Sequence, residues 1–322
     1  MKFNLELEKL HFPFQIGFPN KMMLIGSCFT TQIAEKFNFY KYPIFVNPHG
    51  ILFNPYSILG SLKDCLHNVN YSPNNLWKQE DIFHSWNHHS DFSNLNEFEC
   101  IQKINLAVQS GRQFLAEADV LILTFGSAFV YELKPEFAPN NIPIIVANNH
   151  QAPENWFEKK IYQSNHIFND FSELFSQIFE MNPKLQIVLT ISPVRHLREG
   201  VIKNNLSKAH LIQAVHQLVS SNDRVHYFPS YEIAIDILRD YRYYAEDLVH
   251  PNYQATQYIW EVLMDALIPK SDVPILAKIK KIQDGLKHKP RFSNSKAYLK
   301  FKTELKKIIE EVQAIYPEID FS

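Results

Sequence analysis

Five short apolar segments, separated by patterns typical of helices, constrain the fold of this 322-residue chain more than any other feature. Each segment is rich in Ile, Val, Leu or Phe and lacks the apolar–polar alternation of a half-exposed strand. Each therefore predicts a strand that is buried on both faces, as in a parallel sheet covered by helices. The five predicted strands are 22–25, 44–46, 120–125, 186–191 and 225–228.

The segments between these strands have apolar residues at helical spacing. The last of them is the clearest, because Leu211, Val215 and Leu218 share one face of a helix over 207–220. The other predicted helices are 30–39, 99–117 and 168–180. Strands that alternate with helices of this length form βαβ units with right-handed connections, so the sequence predicts an α/β protein with a parallel sheet.

Two segments do not fit this repeat. Residues 55–98 are polar and aromatic, and they predict an insertion near one edge of the sheet. Residues 269–322 have a charged helical pattern, which predicts an accessory tail that packs on the core or on a second copy of the chain. The predicted organisation is one domain over 1–268, including the insertion, followed by the tail.

Composition excludes several classes of protein. With 32 basic and 34 acidic residues the net charge is -2, so there is no basic field for nucleic acid. A hydrophobic fraction of 46% is too high for a disordered chain, and three scattered cysteines lack both a disulfide framework and zinc-ligand spacing. No apolar segment approaches the roughly 20 residues of a membrane span, and the first residues do not resemble a signal peptide. We therefore expect a cytoplasmic protein that binds neither membrane nor nucleic acid.

The first candidate site is Gly26-Ser27-Cys28, which lies where the first strand meets the first helix. Ligands of open α/β sheets bind at the carboxyl ends of the strands. A helix N-terminus in that position stabilises a thiolate or a developing oxyanion. A nucleophile is one interpretation of this segment, and a turn of small residues with an inert cysteine is the other.

Asp247 and His250 form the second candidate site. An aspartate three residues before a histidine can hydrogen-bond the ring, fix its tautomer and support it as a general base. Pro251 follows directly, so His250 is predicted to be non-helical. The alternative is a surface turn leading into a helix that Asn252 caps.

Polar residues follow the other predicted strands as well. After the third strand, Gly126 and Ser127 could approach a reacting carbonyl, and Glu132 could hold neighbouring groups in place. After the fourth strand, Arg195 and His196 could bind an anionic or polar part of a substrate. An ordinary strand-to-loop turn is the alternative in both places.

Two further clusters are rich in amide and imidazole groups. The segment after the second strand offers side-chain and backbone donors for an oxyanion. These donors belong to Asn47, His49, Gly50 and Asn54. Residues 83–90 contain three histidines without a carboxylate or cysteine at a familiar ligand spacing, so no metal site is predicted there. His88 and His89 are expected to line a substrate cleft instead.

Taken in order, these motifs are similar to those of the GSCFA family, whose motif G-S-C-F-A stands here as G-S-C-F-T at 26–30. The resemblance runs over about residues 1–265 and leaves the tail outside. The other motifs that carry it are G-I-L-F-N-P, H-H-S, G-S-A-F-V-Y-E, V-A-N-N-H, S-P-V-R-H, Y-F-P-S-Y-E and D-L-V-H-P.

The GSCFA family in turn resembles the SGNH/GDSL hydrolases. That resemblance implies a flavodoxin-like, three-layer α/β/α fold, with a nucleophile after the first strand and with Asp247 and His250 as orienter and base. The nucleophile is third in the G-D-S motif of those enzymes, which favours Cys28 and leaves Ser27 as the alternative. Their G-x-N-D motif is replaced here by G-S-A-F at 126–129, so one oxyanion donor is missing.

The expected function is hydrolysis of an acyl ester, such as an O-acetyl group on a carbohydrate or related small molecule, without a metal ion or cofactor. Transfer of an O-acyl group to a glycan is the close variant. A non-catalytic glycan-binding module is the competing interpretation, which the missing motif favours. A homo-oligomer formed through the C-terminal helix is a further expectation.

Overall fold

The computed structural model describes residues 5–321, and its strands and helices alternate along most of the chain. The strands are β1 (Met22–Gly26), β2 (Ile44–Val46), β3 (Trp77–Gln79), β4 (Ile82–His84), β5 (Val120–Phe125), β6 (Phe129–Leu133), β7 (Ile144–Val146), β8 (Phe157–Ile161), β9 (Gln186–Ile191) and β10 (Val225–Phe228). The helices are α1 (Cys28–Phe39), α2 (Pro55–His67), α3 (Glu97–Glu117), α4 (Ser164–Met181), α5 (Gly200–Ser221), the short α6 (Ser230–Glu232), α7 (Tyr253–Leu267), α8 (Val273–Lys287) and α9 (Lys296–Gln313).

The central sheet has five parallel strands in the order β2-β1-β5-β9-β10. All five are the strands that the apolar segments predict, and the order is that of flavodoxin-like folds. The direction in which strands are added reverses between β1 and β5, where Gly26 pairs with Thr124. Ligands bind in the crevice at such a reversal, so the carboxyl ends of β1 and β5 mark the expected site.

Helices cover both faces of this sheet, which confirms the predicted three layers. Phe37 of α1 and Trp260 of α7 pack against one face. Phe171 of α4 and Leu211 of α5 belong to the hydrophobic cluster on the other face. The predicted helices are all present, each beginning and ending within a few residues of the predicted bounds or extended by a turn or two at its start.

The segment 55–98, predicted as an insertion, divides into two parts in the structure. Its first part is α2, which Asn54 caps and whose apolar side chains join the core beside α4. The prediction was wrong for these residues, because the helical spacing of Ile58, Leu62 and Cys65 buries them against the sheet. The rest of the segment contains the β3–β4 hairpin and packs on α3.

A second, antiparallel sheet in the order β7-β6-β8 was not predicted from the sequence. Its first strand begins at Phe129, shortly after the central strand β5 ends at Phe125. The small sheet is therefore attached at the carboxyl edge of the central sheet. It forms a wall beside the crevice where a ligand is expected.

The C-terminal tail packs on the core of the same chain. Leu276 and Ile279 of α8 and Val312 of α9 are buried in the cluster that also contains Phe37 and Trp260. The tail thus covers the outer side of the layer that α1 and α7 form. None of the helices within residues 5–321 is long and apolar enough to cross a membrane.

Candidate active site

The turn between β1 and α1 requires glycine at position 26. Gly26 has φ +152°, and a Cβ atom there would lie 2.5 Å from the carbonyl oxygen of Thr124. Its N–H donates to Oδ1 of Asn47 at 2.8 Å, which ties the end of β1 to the loop after β2. Because any side chain at position 26 would clash with β5, only glycine allows the chain to turn here and enter α1.

The turn presents Cys28, and not Ser27, to solvent. Cys28 is half-buried and lines a cavity of about 480 Å³. Ser27 is only 1% exposed, and its Oγ atom is buried without a hydrogen-bond partner among the described residues. Ser27 is also the residue before α1, in extended conformation, so its side chain lies beneath the helix start. The geometry favours Cys28 as the nucleophile.

The environment of Cys28 keeps its thiol protonated at rest. Burial raises the pKa of Cys28, while the backbone N–H groups of Phe29 and Cys28 and the charge of Lys208 act in the opposite direction. Those N–H groups are free because the first turn of a helix has no intrahelical acceptors for them. A thiol of raised pKa needs a base to become a nucleophile.

His250 lies in the wall of the same cavity and is the candidate base. Its Nδ1 lies 2.6 Å from Oδ2 of Asp247, whose pKa the hydrogen bonds from His250 and Val249 lower to about 2. An ionised carboxylate only accepts, so Nδ1 carries the proton and Nε2 is left as the basic nitrogen. Oδ1 of Asp247 accepts from the backbone N–H of His250 at 3.0 Å, which fixes the turn as the D-x-x-H spacing predicts.

Asn54 and Cys28, at the start of α1, both line the cavity and are the candidate donors to an oxyanion. Asn54 lines the cavity, and its Oδ1 accepts from Ser57 N–H at 2.8 Å. Its Nδ2 group is therefore the end of the amide that can donate to a ligand. Together with the Cys28 N–H it gives the cavity two candidate donors.

The other proposed oxyanion donors, Asn47, His49 and Gly50, do not line the cavity. The Gly50 N–H donates to the carbonyl oxygen of Asn47 at 2.8 Å, so it does not serve as a donor for the substrate as predicted. The side chain of Asn47 accepts from Gly26. His49 is 1% exposed, and its Nδ1 lies 3.1 Å from the carbonyl oxygen of Asn87, away from the cavity.

The backbone N–H groups that follow β5 form hydrogen bonds within the protein and are not available to a substrate. The N–H groups of Gly126 and Ser127 both donate to the carbonyl oxygen of Phe53, at 2.8 and 2.9 Å, so the predicted approach of Gly126 to a reacting carbonyl does not occur. Ser127 does line the cavity. Glu132 lies on β6 and forms an ion pair with Lys160, which agrees with a local structural role.

The histidine cluster is part of the interior and not of the cleft. His88 is fully buried, with its ring stacked 3.9 Å from that of His49 and its Nδ1 2.9 Å from Ser85 Oγ. His89 packs beside Gly50, and its Nδ1 lies 3.1 Å from Asp91. Neither lines the cavity, so the expectation that they do was wrong. Within residues 5–321, no group of three potential ligands is arranged to hold a metal ion.

Arg195 and His196 line the cavity, as the sequence predicts. The guanidinium of Arg195 donates to the hydroxyl of Tyr244 at 2.9 Å and lies over that ring. The Nε2 atom of His196 is buried without a partner among the described residues. Burial, and then the positive charge of Lys208, lowers the pKa of His196 to about 4, so its ring is neutral at pH 7.

Lys208 is the main residue of the site that sequence reasoning missed. It is 1% exposed, and its Nζ donates to the carbonyl oxygens of Gly126 and Ser192 at 2.7 Å each. These carbonyls follow the ends of β5 and β9, so Lys208 joins two strands directly behind the cavity. Burial lowers its pKa to about 7, against the opposing effect of Cys28. In the sequence, Lys208 lies one turn before Leu211 on the apolar face of α5, and this position could have predicted that the lysine is buried.

Other residues of the wall were also not predicted. The small sheet supplies aromatic and basic side chains, and the loops supply amides and a second arginine. They are Phe53, Phe129, Tyr131, Asn148, Asn149, Lys159 and Arg198. The V-A-N-N-H motif contains the two asparagines, and Arg198 follows Arg195 by three positions, so both signals were present in the sequence.

These features define a three-layer α/β protein with a candidate Cys–His–Asp triad at the carboxyl edge of its parallel sheet. The chain belongs to the GSCFA family, whose model matches residues 21–263. A second model, described as the C-terminal domain of GSCFA domain proteins, matches residues 279–322. A search of the curated proteins found no significant match.

Several solved structures are similar to this chain at low identity. A structure described as a GDSL-like lipase from Parabacteroides merdae is 14% identical, with TM-score 0.40, over 79% of this chain and 97% of that one. A family 3 carbohydrate esterase from Clostridium thermocellum is 12% identical, with TM-score 0.35, over 81% and 98%. A family 3 carbohydrate esterase from Talaromyces cellulolyticus is 11% identical, with TM-score 0.35, over 81% and 98%. We therefore infer activity from the geometry of the site alone.

Proposed function

We propose that this protein is an acyl-ester hydrolase in which Cys28 is the nucleophile, His250 the general base and Asp247 the residue that orients the base. The observation that carries this proposal is that Cys28 and His250 line one cavity, with Asp247 behind the imidazole. This is the arrangement of a nucleophile, a base and an orienter that acyl transfer requires.

The first half of the reaction makes a thioester. Nε2 of His250 takes the proton from the thiol as Sγ of Cys28 attacks the ester carbonyl carbon. The carbonyl oxygen becomes an oxyanion, which the Cys28 N–H and Nδ2 of Asn54 stabilise. The carbon–oxygen bond to the alcohol then breaks, and the imidazolium returns its proton to the departing alkoxide oxygen.

The second half releases the acyl group. A water molecule gives a proton to His250 and attacks the thioester carbonyl, through a second oxyanion held by the same donors. The bond to Sγ breaks, the thiol regains its proton, and a carboxylic acid leaves. Asp247 keeps Nδ1 protonated throughout, so the same nitrogen serves in both halves.

The wall of the cavity supports a carbohydrate or related small molecule with an O-acyl group, such as O-acetyl. Phe53, Phe129 and Tyr131 offer flat apolar surfaces, and Asn148 and Asn149 offer amides for hydroxyl groups. A volume of about 480 Å³ falls within the range of small-molecule sites.

An acyl-transfer experiment tests the proposal. We expect p-nitrophenyl acetate to release a burst of p-nitrophenol and leave an acetyl group on Cys28, detected by mass spectrometry. Cys28→Ala and His250→Ala remove both the burst and the adduct. Ser27→Ala keeps them, because the Ser27 side chain is buried. Cys65 and Cys100 remain in Cys28→Ala and serve as internal controls, since both are buried.

Two outcomes would contradict the proposal. Loss of the adduct in Ser27→Ala with retention in Cys28→Ala would assign the attack to the serine. Absence of any adduct in the wild type, together with glycan binding that Cys28→Ala and His250→Ala leave unchanged, would support a binding module instead.

A further inference from the structure

The cavity that Cys28 lines also has charged side chains in its wall, and their charges do not sum to zero. Lys159 and Glu199 both line the cavity and form an ion pair with each other, so their charges cancel locally. Arg195 and Arg198 line the same wall. The cavity therefore has two positive charges in addition to that pair.

Both arginines are held by tyrosines and not by carboxylates. Arg195 Nη2 donates to the hydroxyl of Tyr244 at 2.9 Å, and Arg198 Nη1 to the hydroxyl of Tyr131 at 3.3 Å. Within residues 5–321, neither guanidinium has a carboxylate oxygen within 4.0 Å. A neutral hydroxyl positions a guanidinium without neutralising it, and each guanidinium has five N–H donors. Most of their capacity is thus available to a ligand.

His196 lies between the two arginines in sequence and reports the same positive environment. Its Nε2 is buried and has no partner among the described residues. The causes that lower its pKa, after burial, are the charges of Lys208, His250 and Lys159. The ring is neutral at pH 7 and can donate a hydrogen bond to an anion, which would relieve both the missing partner and the surrounding positive charge.

We propose that the substrate carries an anionic group, a carboxylate or a phosphate, that binds to Arg195, Arg198 and His196 while its ester carbonyl lies at Cys28. The planar guanidinium group binds either anion through paired hydrogen bonds, which a neutral acetylated sugar would leave unused. This inference rests on the proposed function, since it names the substrate class of the same site.

Matched neutral and anionic esters test the inference. We would compare p-nitrophenyl acetate with the p-nitrophenyl monoester of glutaric acid, and measure kcat/KM for each. The wild type is expected to prefer the anionic ester by at least about tenfold, since a hydrogen bond to a charged group contributes about 1.5–3 kcal/mol, or roughly 10- to 150-fold. Arg195→Gln and Arg198→Gln should each remove most of this preference through a higher KM for the anionic ester, and Arg198→Glu should reverse it.

Arg242→Gln is the matched control, because Arg242 pairs with Asp240 outside the cavity. It should leave the preference unchanged. Equal kcat/KM values for the two esters in the wild type would overturn the inference. A preference for the anionic ester that Arg198→Glu does not alter would overturn it as well.

A binding measurement separates this inference from the proposed function. Inorganic phosphate and glutarate, each titrated alone, should shift the NMR signals of the His196 ring in the wild type and in Cys28→Ala, and not in Arg198→Glu. Saturation by only one of them identifies the anion. A shift without ester hydrolysis would support the anion site and contradict the esterase. Ester hydrolysis without any shift of the His196 signals would support the esterase and contradict the anion site.

Discussion

The carboxylate of Asp247 contacts His250 twice, through Oδ2 to the ring at 2.6 Å and through Oδ1 to the backbone N–H at 3.0 Å. One side chain therefore sets both the turn and the tautomer of the ring. The two roles use different oxygens, so a substitution can affect one and preserve the other.

Asp247→Asn separates these roles. The amide oxygen of Asn can still accept from the backbone, but its NH₂ group would donate to Nδ1 and force the proton onto Nε2. We expect kcat for an ester substrate to fall about 10²- to 10⁴-fold with little change in melting temperature. Asp240→Asn is the control, since Asp240 holds a similar turn through Arg242 N–H. Equal activity in the two variants would refute the triad.

Lys208→Met tests the buried lysine. Met has a similar shape, but it leaves the carbonyls of Gly126 and Ser192 without their donor, which costs about 1–3 kcal/mol for each. Urea unfolding measures this loss. Because the charge of Lys208 lowers the pKa of Cys28, alkylation of Cys28 should also require higher pH in the variant. Lys184→Met, at an exposed ion pair with Asp119, should change neither quantity. Unchanged stability in Lys208→Met would show that the two carbonyls do not depend on this lysine.

Gly26→Ala tests the turn before the nucleophile. The added Cβ would meet the carbonyl oxygen of Thr124 at 2.5 Å and adopt a φ that L residues avoid. We expect a loss of stability of at least about 1–3 kcal/mol, and a lower rate of Cys28 alkylation. Gly60→Ala is the matched control, because a Cβ on Gly60 meets nothing within 4 Å within α2. It should raise stability by up to about 1 kcal/mol. If Gly26→Ala changed neither the stability nor the rate of Cys28 alkylation, the turn would have to accommodate the added Cβ.

The buried histidines predict a loss of stability in acid. Burial lowers the pKa of His49, His150 and His196 to about 4, whereas the unfolded chain titrates near 6.5. Between these values the unfolded chain binds protons that the folded chain does not, so the free energy of unfolding falls as pH decreases from 6.5 to 4. For the fully buried His49 the full effect is on the order of 3 kcal/mol.

Urea unfolding at several pH values measures this slope. His49→Asn should make the free energy of unfolding depend less on pH, because one buried histidine is removed. His11→Asn, at an exposed position, should not change this dependence. A free energy of unfolding that stays constant from pH 6.5 to 4 in the wild type would contradict the prediction.

The central sheet could be predicted because its strands are buried on both faces, which leaves an unmistakable apolar pattern. Helix α2 falls in the predicted insertion because most of residues 68–98 are polar, although Ile58, Leu62 and Cys65 have the spacing of a buried helix face. In the small sheet, β6 and β8 have mixed polarity and β7 has only three residues. Its pairing depends on contacts between residues that are not neighbours in sequence. No local pattern identifies it.

The candidate triad could also be predicted, since Cys28 and the D-x-x-H pair lie where the fold puts ligands. Asn54 was also among the predicted oxyanion donors, but the sequence could not separate it from Asn47, His49 and Gly50, which do not line the cavity. The Gly50 N–H is not free, because a turn brings it to the carbonyl oxygen of Asn47. A sequence does not show which N–H groups form hydrogen bonds within such a turn. Lys208 was missed for a related reason, because a lysine on an apolar helix face ordinarily extends its amine to water.

Residues near both ends of the described chain meet in the hydrophobic cluster on which α1 packs. The rings of Phe18 and Tyr316 are 4.8 Å apart, and both contribute to the cluster that holds Phe37 of α1. Helix α1 therefore packs on side chains that lie about 300 positions apart in the sequence, so its position depends on residues near both ends of the described chain.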